Sequence, residues 1–187
     1  LISTMVLLPS YAAIERASVA QDLRRATDAI EEFSNQQMIK LSDWAAWDEA
    51  YKYARDRDAA WVEETVYATG LANLDINALM FTDPEGNLIF LKAVDIRARE
   101  EVPAEDVERY FGEHRDLITF DGIDGETQGI AMLPQGPLIT VSLPLRTSEG
   151  LGPSTGALTF ARYLDADKIA ELSEVTHLAI SVFEYRS

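Results

Sequence analysis

The chain has 187 residues, 47% of them hydrophobic and 26% charged, which suits one folded domain with a substantial core and excludes general disorder. Its 16 Lys and Arg stand against 32 Asp and Glu, a formal net charge of -16. That balance excludes nucleic acid and anionic lipid surfaces as partners, because phosphate binding draws its affinity from clustered basic residues, and it favours a neutral or cationic ligand. There is no cysteine, so disulfides, thiolate metal sites and cysteine nucleophiles are excluded together. His114 and His177 lie too far apart in the sequence to suggest a metal site, and no cofactor is called for.

The first eight residues, Leu1-Ile2-Ser3-Thr4-Met5-Val6-Leu7-Leu8, are mostly apolar and lead into Pro9. They are too few to span a bilayer, which needs about 20 such residues, and are read as the trailing end of a membrane helix or as a buried first strand or helix turn. A long helix is expected over 10–41, with Leu23, Ala26, Ile30, Phe33, Gln37 and Leu41 forming one stripe at three- and four-residue steps. Such a helix suits pairing with a second copy as well as packing on its own domain, giving a homodimer through the N-terminal helix as the expected assembly. Helical spacing continues over 43–56 and 61–71.

The period then changes to two. Strands are expected from Ile76 to Phe81 and over 88–94, joined by Asp83-Pro84-Glu85-Gly86, with Pro preset for the second turn position and Gly for the fourth. A short helix over 103–116 carries Val107, Tyr110 and Phe111 at helical spacing. Strands over 129–133, 138–145 and 156–164 follow, then a helix over 165–176 and a final strand over 178–185. Two strands, a helical crossover and three strands in hairpin succession make a single α+β domain, residues 1–187, with its sheet-bearing core over 76–185 and helices packed on one face of an antiparallel sheet of five to six strands.

The most informative stretch is Asp43-Trp44-Ala45-Ala46-Trp47-Asp48-Glu49-Ala50-Tyr51. On a continuous helix, Trp44, Trp47, Asp48 and Tyr51 share one face. A carboxylate among indole rings is costly unless paired, so Asp48 needs an arginine, backbone amides or a bound cation, for which the rings would offer cation–π contact. Arg162 alternates with Leu158 and Phe160 on one strand face and is a candidate partner for an acid or for a ligand. Trp44, Trp47, Asp48, Tyr51 and Arg162 are therefore the candidate ligand-binding residues.

Enzymatic patterns fail on context. Gly152-Pro153-Ser154-Thr155-Gly156 has the letters of a hydrolase nucleophile elbow, but it precedes a strand instead of opening a helix. Asp121, Asp124 and Glu126 miss the spacing of a calcium loop. Asp43 and Asp48, five residues apart on a helix, point in different directions and do not form the carboxylate pair of a glycosidase.

At the aspartate–tryptophan stretch the sequence resembles the fourth class of CHASE-type extracellular sensory domains, whose hallmark Asp-Trp-Ala-x-Trp-Asp-x-x-Tyr is met by Asp43, Trp44, Ala45, Trp47, Asp48 and Tyr51. Later features follow in similar order: Asn73 and Asn77, Pro144-Leu145, Gly152-Pro153, then Gly156-Ala157-Leu158 leading to Arg162. Glu15 matches a glutamate on the first helix. The resemblance implies a PAS-like or Cache-like fold, a place on the periplasmic side of the inner membrane in a membrane-anchored receptor, and a diguanylate cyclase, phosphodiesterase or histidine kinase module elsewhere in the protein. Two readings follow. Either a small molecule binds between the sheet and the Trp44 helix and shifts the N-terminal helix, or the domain is a dimerisation or protein-partner module without such a ligand.

Overall fold

The computed structural model describes residues 3–182, with side chains from Glu15 onward. Helix α1 (Ser3–Ala45) runs for 43 residues, about 65 Å at the usual rise per residue, and passes the expected 10–41 at both ends. Its apolar stripe divides. Phe33, Gln37 and Leu41 are buried, whereas Leu23 stands exposed, as does Val19 one turn before the stripe. The membrane-helix end expected over 1–8 lies outside the described side chains, and among the described residues no helix is long and apolar enough to cross a membrane.

Three short helices follow: α2 (Asp48–Asp56), α3 (Ala59–Thr65) and α4 (Ala68–Asn73). Asp58 starts α3 by accepting hydrogen bonds from the amides of Ala60 and Trp61, the usual role of a short acidic side chain at a helix N-terminus. Strands β1 (Ala78–Thr82) and β2 (Leu88–Asp95) form the expected hairpin. Its turn closes by a 3.0 Å bond from the Gly86 amide to the Asp83 carbonyl. Next come β3 (Glu100–Val102), α5 (Glu105–Glu113), a single 3-10 turn at Arg115–Leu117, β4 (Thr127–Leu133), β5 (Gly136–Pro144), β6 (Ala157–Tyr163) and α6 (Ala166–Thr176).

All six strands join one antiparallel sheet in the order β3-β2-β1-β6-β5-β4. Six strands agree with the expected count, but the sixth differs. Residues 178–182 carry no strand, and the rest of the expected 178–185 lies outside the described residues. His177 ends α6 in a left-handed conformation, and Ile180 and Val182 pack beside Phe33 and Leu172 instead of joining the sheet. The sixth strand is β3, three exposed residues at an edge, too short and polar to show a period. Helices cover both faces of the sheet instead of one. Leu79, Phe81, Val141, Leu158 and Phe160 face α1–α4, while Ala78, Met80, Ala93, Leu138 and Ala161 face α5. This double burial is why β1 is buried at every position.

Candidate functional site

The hallmark stretch is an elbow. Helix α1 stops at Ala45, and Trp47 takes an extended conformation (φ -89, ψ 126) before α2 begins at Asp48. Trp44, Trp47, Asp48 and Tyr51 therefore do not share one helical face. The Asp48 carboxylate is exposed and accepts from the Ser148 amide at 2.8 Å and the Ser148 hydroxyl at 2.9 Å. The backbone amide first, then the hydroxyl, hold its pKa below the ordinary carboxylate value. Tyr51 donates its hydroxyl to the Pro153 carbonyl at 3.1 Å, and the Tyr51 carbonyl accepts from the Thr155 hydroxyl at 3.1 Å. The elbow thus latches the β5–β6 loop.

Rings fill the space between elbow and sheet. Trp44 lies edge-on to Phe160 and to Trp47, each at 6.0 Å. Trp47 meets Trp61 at 5.6 Å, Trp61 meets Tyr53 at 5.1 Å, and Tyr53 meets Phe81 at 5.0 Å. These contacts make the tryptophans packing residues of the elbow, with Asp48 at its rim.

Arg162 belongs to a different constellation, at the far end of β6. Alternation does place it on the face of Leu158 and Phe160, but it is 4% exposed and not solvent-facing. Its Nε donates to Asp75 at 2.8 Å and its Nη1 to Asp165 at 2.8 Å and to the Asn77 amide oxygen at 3.1 Å. Asp75 also accepts from Lys168 at 2.7 Å, and Lys168, itself 3% exposed, lies 4.3 Å over the Phe33 ring. Burial pushes the Asp75 carboxyl up, but hydrogen bonds from Lys168 and Arg162 and their charges outweigh it, so its pKa falls below the ordinary value. Asp165 behaves likewise, with burial opposed by Arg162 and by the Lys168 amide. Desolvation lowers the Arg162 pKa, but the two aspartates more than offset it and raise it. Two buried cations and their acids thus tie α1 through Phe33, the α4–β1 turn through Asp75, β6 through Arg162 and α6 through Lys168. A pairing this dense is what lets charges stay buried.

A cleft of about 460 Å³ opens directly beside this cluster. Val94, Ile96 and Val102 supply apolar walls, and Asn77, Gln135 and Tyr163 supply polar ones. Arg97, from the β2–β3 turn, forms a two-pronged ion pair with Asp167 in the first turn of α6 and bounds one side. Burial, then the Asp106 charge, keeps the Tyr163 hydroxyl protonated well into alkaline conditions by raising its pKa. The cleft has the size and lining of a small-molecule site: mostly apolar, with a few convergent polar groups. Of the predicted residues only Arg162 lines it. Gln135, Tyr163, Arg97 and Asp167 carried no sequence signal, since they converge from β4–β5, β6, a turn and α6.

The Gly152–Gly156 stretch lies between β5 and β6, and the Ser154 hydroxyl donates to the Gly156 carbonyl at 2.7 Å. Among the described residues no three His, Asp or Glu side chains converge to hold a metal ion.

The CHASE4 domain model matches residues 29–183. The methanogenesis regulatory histidine kinase FilI of Methanothrix harundinacea (strain 6Ac) is 23% identical over 173 residues, which is 91% of this chain and 20% of that protein. The chain thus spans a small part of the curated relative it matches. Among solved structures, the extracellular domain of vpHK1S-Z8, assigned as a histidine kinase, superposes with a TM-score of 0.56 at 16% identity, covering 85% of this chain and 62% of that one. A domain from Vibrio parahaemolyticus assigned to the sensory box/GGDEF family gives 0.56 at 16% identity, covering 82% and 63%. These likenesses show the fold, the PAS-like or Cache-like type with a long first helix. The family model covers most of the chain, and the chain belongs to the CHASE4 family of sensory domains of signalling receptors.

Proposed function

We propose that this domain senses a small neutral or cationic molecule on the periplasmic side of the inner membrane, as part of a membrane-anchored receptor, and that the molecule binds in the cleft beside Arg162. The observation that carries this reading is structural economy: Asn77, Arg162 and Asp165 line the cleft and also belong to the cluster that joins α1 to α6. A guest seated between Arg97 and Asp167 competes with their ion pair, and the α6 N-terminus moves with Asp167. The charged residues lining the cleft, Asp95, Asp165, Asp167, Arg97 and Arg162, sum to one negative charge, which agrees with the strongly acidic chain. A histidine kinase output is supported by FilI, and a diguanylate cyclase output by the sensory box/GGDEF neighbour. Homodimerisation through α1 is supported by the exposed Val19 and Leu23. The hallmark residues Trp44, Trp47, Asp48 and Tyr51 serve this reading as the brace of the elbow.

The test is thermal melting against amines, amino acids, divalent cations and short carboxylates. A true ligand at a hundred times its Kd stabilises by about 2.7 kcal/mol, a rise of roughly 5–10 °C for a domain of this size. Tyr163→Phe and Arg97→Ala should cut that rise while the domain stays folded. A panel without any rise, or a rise indifferent to both variants, rejects the cleft and leaves the partner-module reading.

A further inference from the structure

Arg162 has one nitrogen to spare. Its Nε donates to Asp75, and its Nη1 serves the Asn77 side-chain oxygen, the Asp165 carboxylate and the Tyr163 carbonyl. Nη2 donates to no atom of the described residues. Two sealed side-chain polar atoms lack a partner among those residues, Gln37 Oε1 and Thr82 Oγ1. Nη2 is not one of them, so it keeps accessible surface although the residue as a whole is 4% exposed. The cleft of about 460 Å³ is the cavity that Arg162 lines, and Nη2 opens into it. The guanidinium is a rigid planar fork. With Nε and Nη1 fixed on Asp75, Asn77 and Asp165, Nη2 cannot turn away to find another acceptor in the protein.

A charged donor held in a largely buried position is costly to leave unmet, so Nη2 calls for an oxygen from outside the chain. The charges around it decide which kind. Asp75 and Asp165 already match Arg162, and the residues lining the cleft carry one net negative charge. A carboxylate on Nη2 would lie beside the Asp165 carboxylate on the same guanidinium, and like charges so close repel. An ammonium offers no acceptor. A neutral carbonyl oxygen meets the donor without adding charge. Among neutral carbonyls, a carboxamide also brings N–H donors. Asp95, on the same cleft wall, can receive one: its Oδ1 takes the amides of Arg97 and Ala98, and its Oδ2 accepts no hydrogen bond from the described residues.

Taking this cleft as the sensing site, on which the assignment rests, we infer that its ligand is a neutral carboxamide. The carbonyl oxygen accepts from Arg162 Nη2, the N–H is directed to Asp95, and an apolar body lies against Val94, Ile96 and Val102. The guest thereby completes the bonding of the residue that ties the α4–β1 turn to α6, which gives it a direct hold on that junction.

The probes are valeramide, valerate and pentylamine, chains of equal length that differ in the head group. Each is titrated into the whole chain while NMR follows the guanidinium resonances of Arg162. Valeramide should bind at least about tenfold more tightly than the other two and should shift the Nη2 signal. Arg162→Lys keeps the positive charge but has no second terminal nitrogen, and it should weaken valeramide about tenfold. Should that variant fail to fold, the wild-type Nη2 signal decides alone. In the melting panel, asparagine and glutamine carry the same group and should exceed aspartate and glutamate. Valeramide that binds no better than its analogues, or that leaves the Nη2 signal unmoved, overturns the assignment and means that water completes Arg162. If pentylamine or valerate binds instead and Tyr163→Phe weakens it, the cleft stands as the sensing site and the carboxamide alone falls. If neither the probes nor the panel raises the melting temperature, the cleft falls and the carboxamide with it.

Discussion

Removing Arg162 would leave Asp165 without its cation and Asp75 with Lys168 alone, the two acids being 43% and 33% exposed. Losing one partner of an ion pair costs most where the other charge stays desolvated, and here water reaches both acids and moderates the loss. Arg162→Met should therefore destabilise the domain by about 1–2 kcal/mol in urea unfolding, and an unchanged unfolding midpoint would show that these pairs do not hold the junction together. The same cluster sets an acid limit. Asp75 and Asp165 have folded pKa values below the ordinary 3.8. The unfolded chain thus takes up these protons first as pH falls, and stability that is complete above the ordinary value drains away as pH drops through the depressed ones. Asp75→Asn should lower stability at neutral pH yet flatten its fall between roughly pH 5 and 2, as followed by melting temperature across that range. At this scale the sequence is partly transparent. Alternation along β6 placed Arg162 correctly, but its partner Asp75 lies 87 residues away, and no local pattern encodes such a meeting.

Helix α1 and the elbow show where periodicity stops being a guide. Nothing between Asp43 and Tyr51 is a helix breaker, so the apolar spacing predicts one helix and one aromatic face. The chain bends at Trp47 because tertiary partners outweigh propensity: Ser148 takes Asp48, Pro153 takes Tyr51, and the Arg146 amide donates to the Ala45 carbonyl at 2.9 Å. A sequence reading that assumes a continuous helix then places the carboxylate among rings that in fact pack on each other. The expected stripe on α1 fares differently. Its lower half meets Ile139 and Leu172 of the domain, whereas Val19 and Leu23, 63% and 65% exposed, have no cover of their own. A second α1 packed along this seam would bury them at about 25 cal/mol per Å². Leu23→Glu should shift the chain from dimer to monomer in light scattering at micromolar concentration without altering its helix content. A wild type that is already monomeric at high concentration would assign that stripe to some other surface.

At the scale of the molecule, the count and spacing of elements indicated one antiparallel sheet built from two strands, a crossover and three more, but not the neighbour relation of β1 and β6 that closes it. The position of the cleft did not follow, because its walls come from chain segments that meet only once the sheet has closed. That position matters for signalling. The cleft adjoins one end of the sheet, where Phe33 of α1 and Lys168 of α6 share the ion cluster, while the elbow braces the β5–β6 loop. A ligand that favours one arrangement of this junction by a few kcal/mol shifts its population strongly, since about 5.5 kcal/mol carries an equilibrium from 1:99 to 99:1. Amide hydrogen exchange should then respond unevenly to a ligand found in the melting panel. Protection should rise in the first two turns of α6 and around Phe33 in α1, with little change in α2 or residues 146–156. If the elbow and its loop respond most, the signal leaves through the latch that holds Asp48, and the junction at Arg162 serves only to hold the fold together.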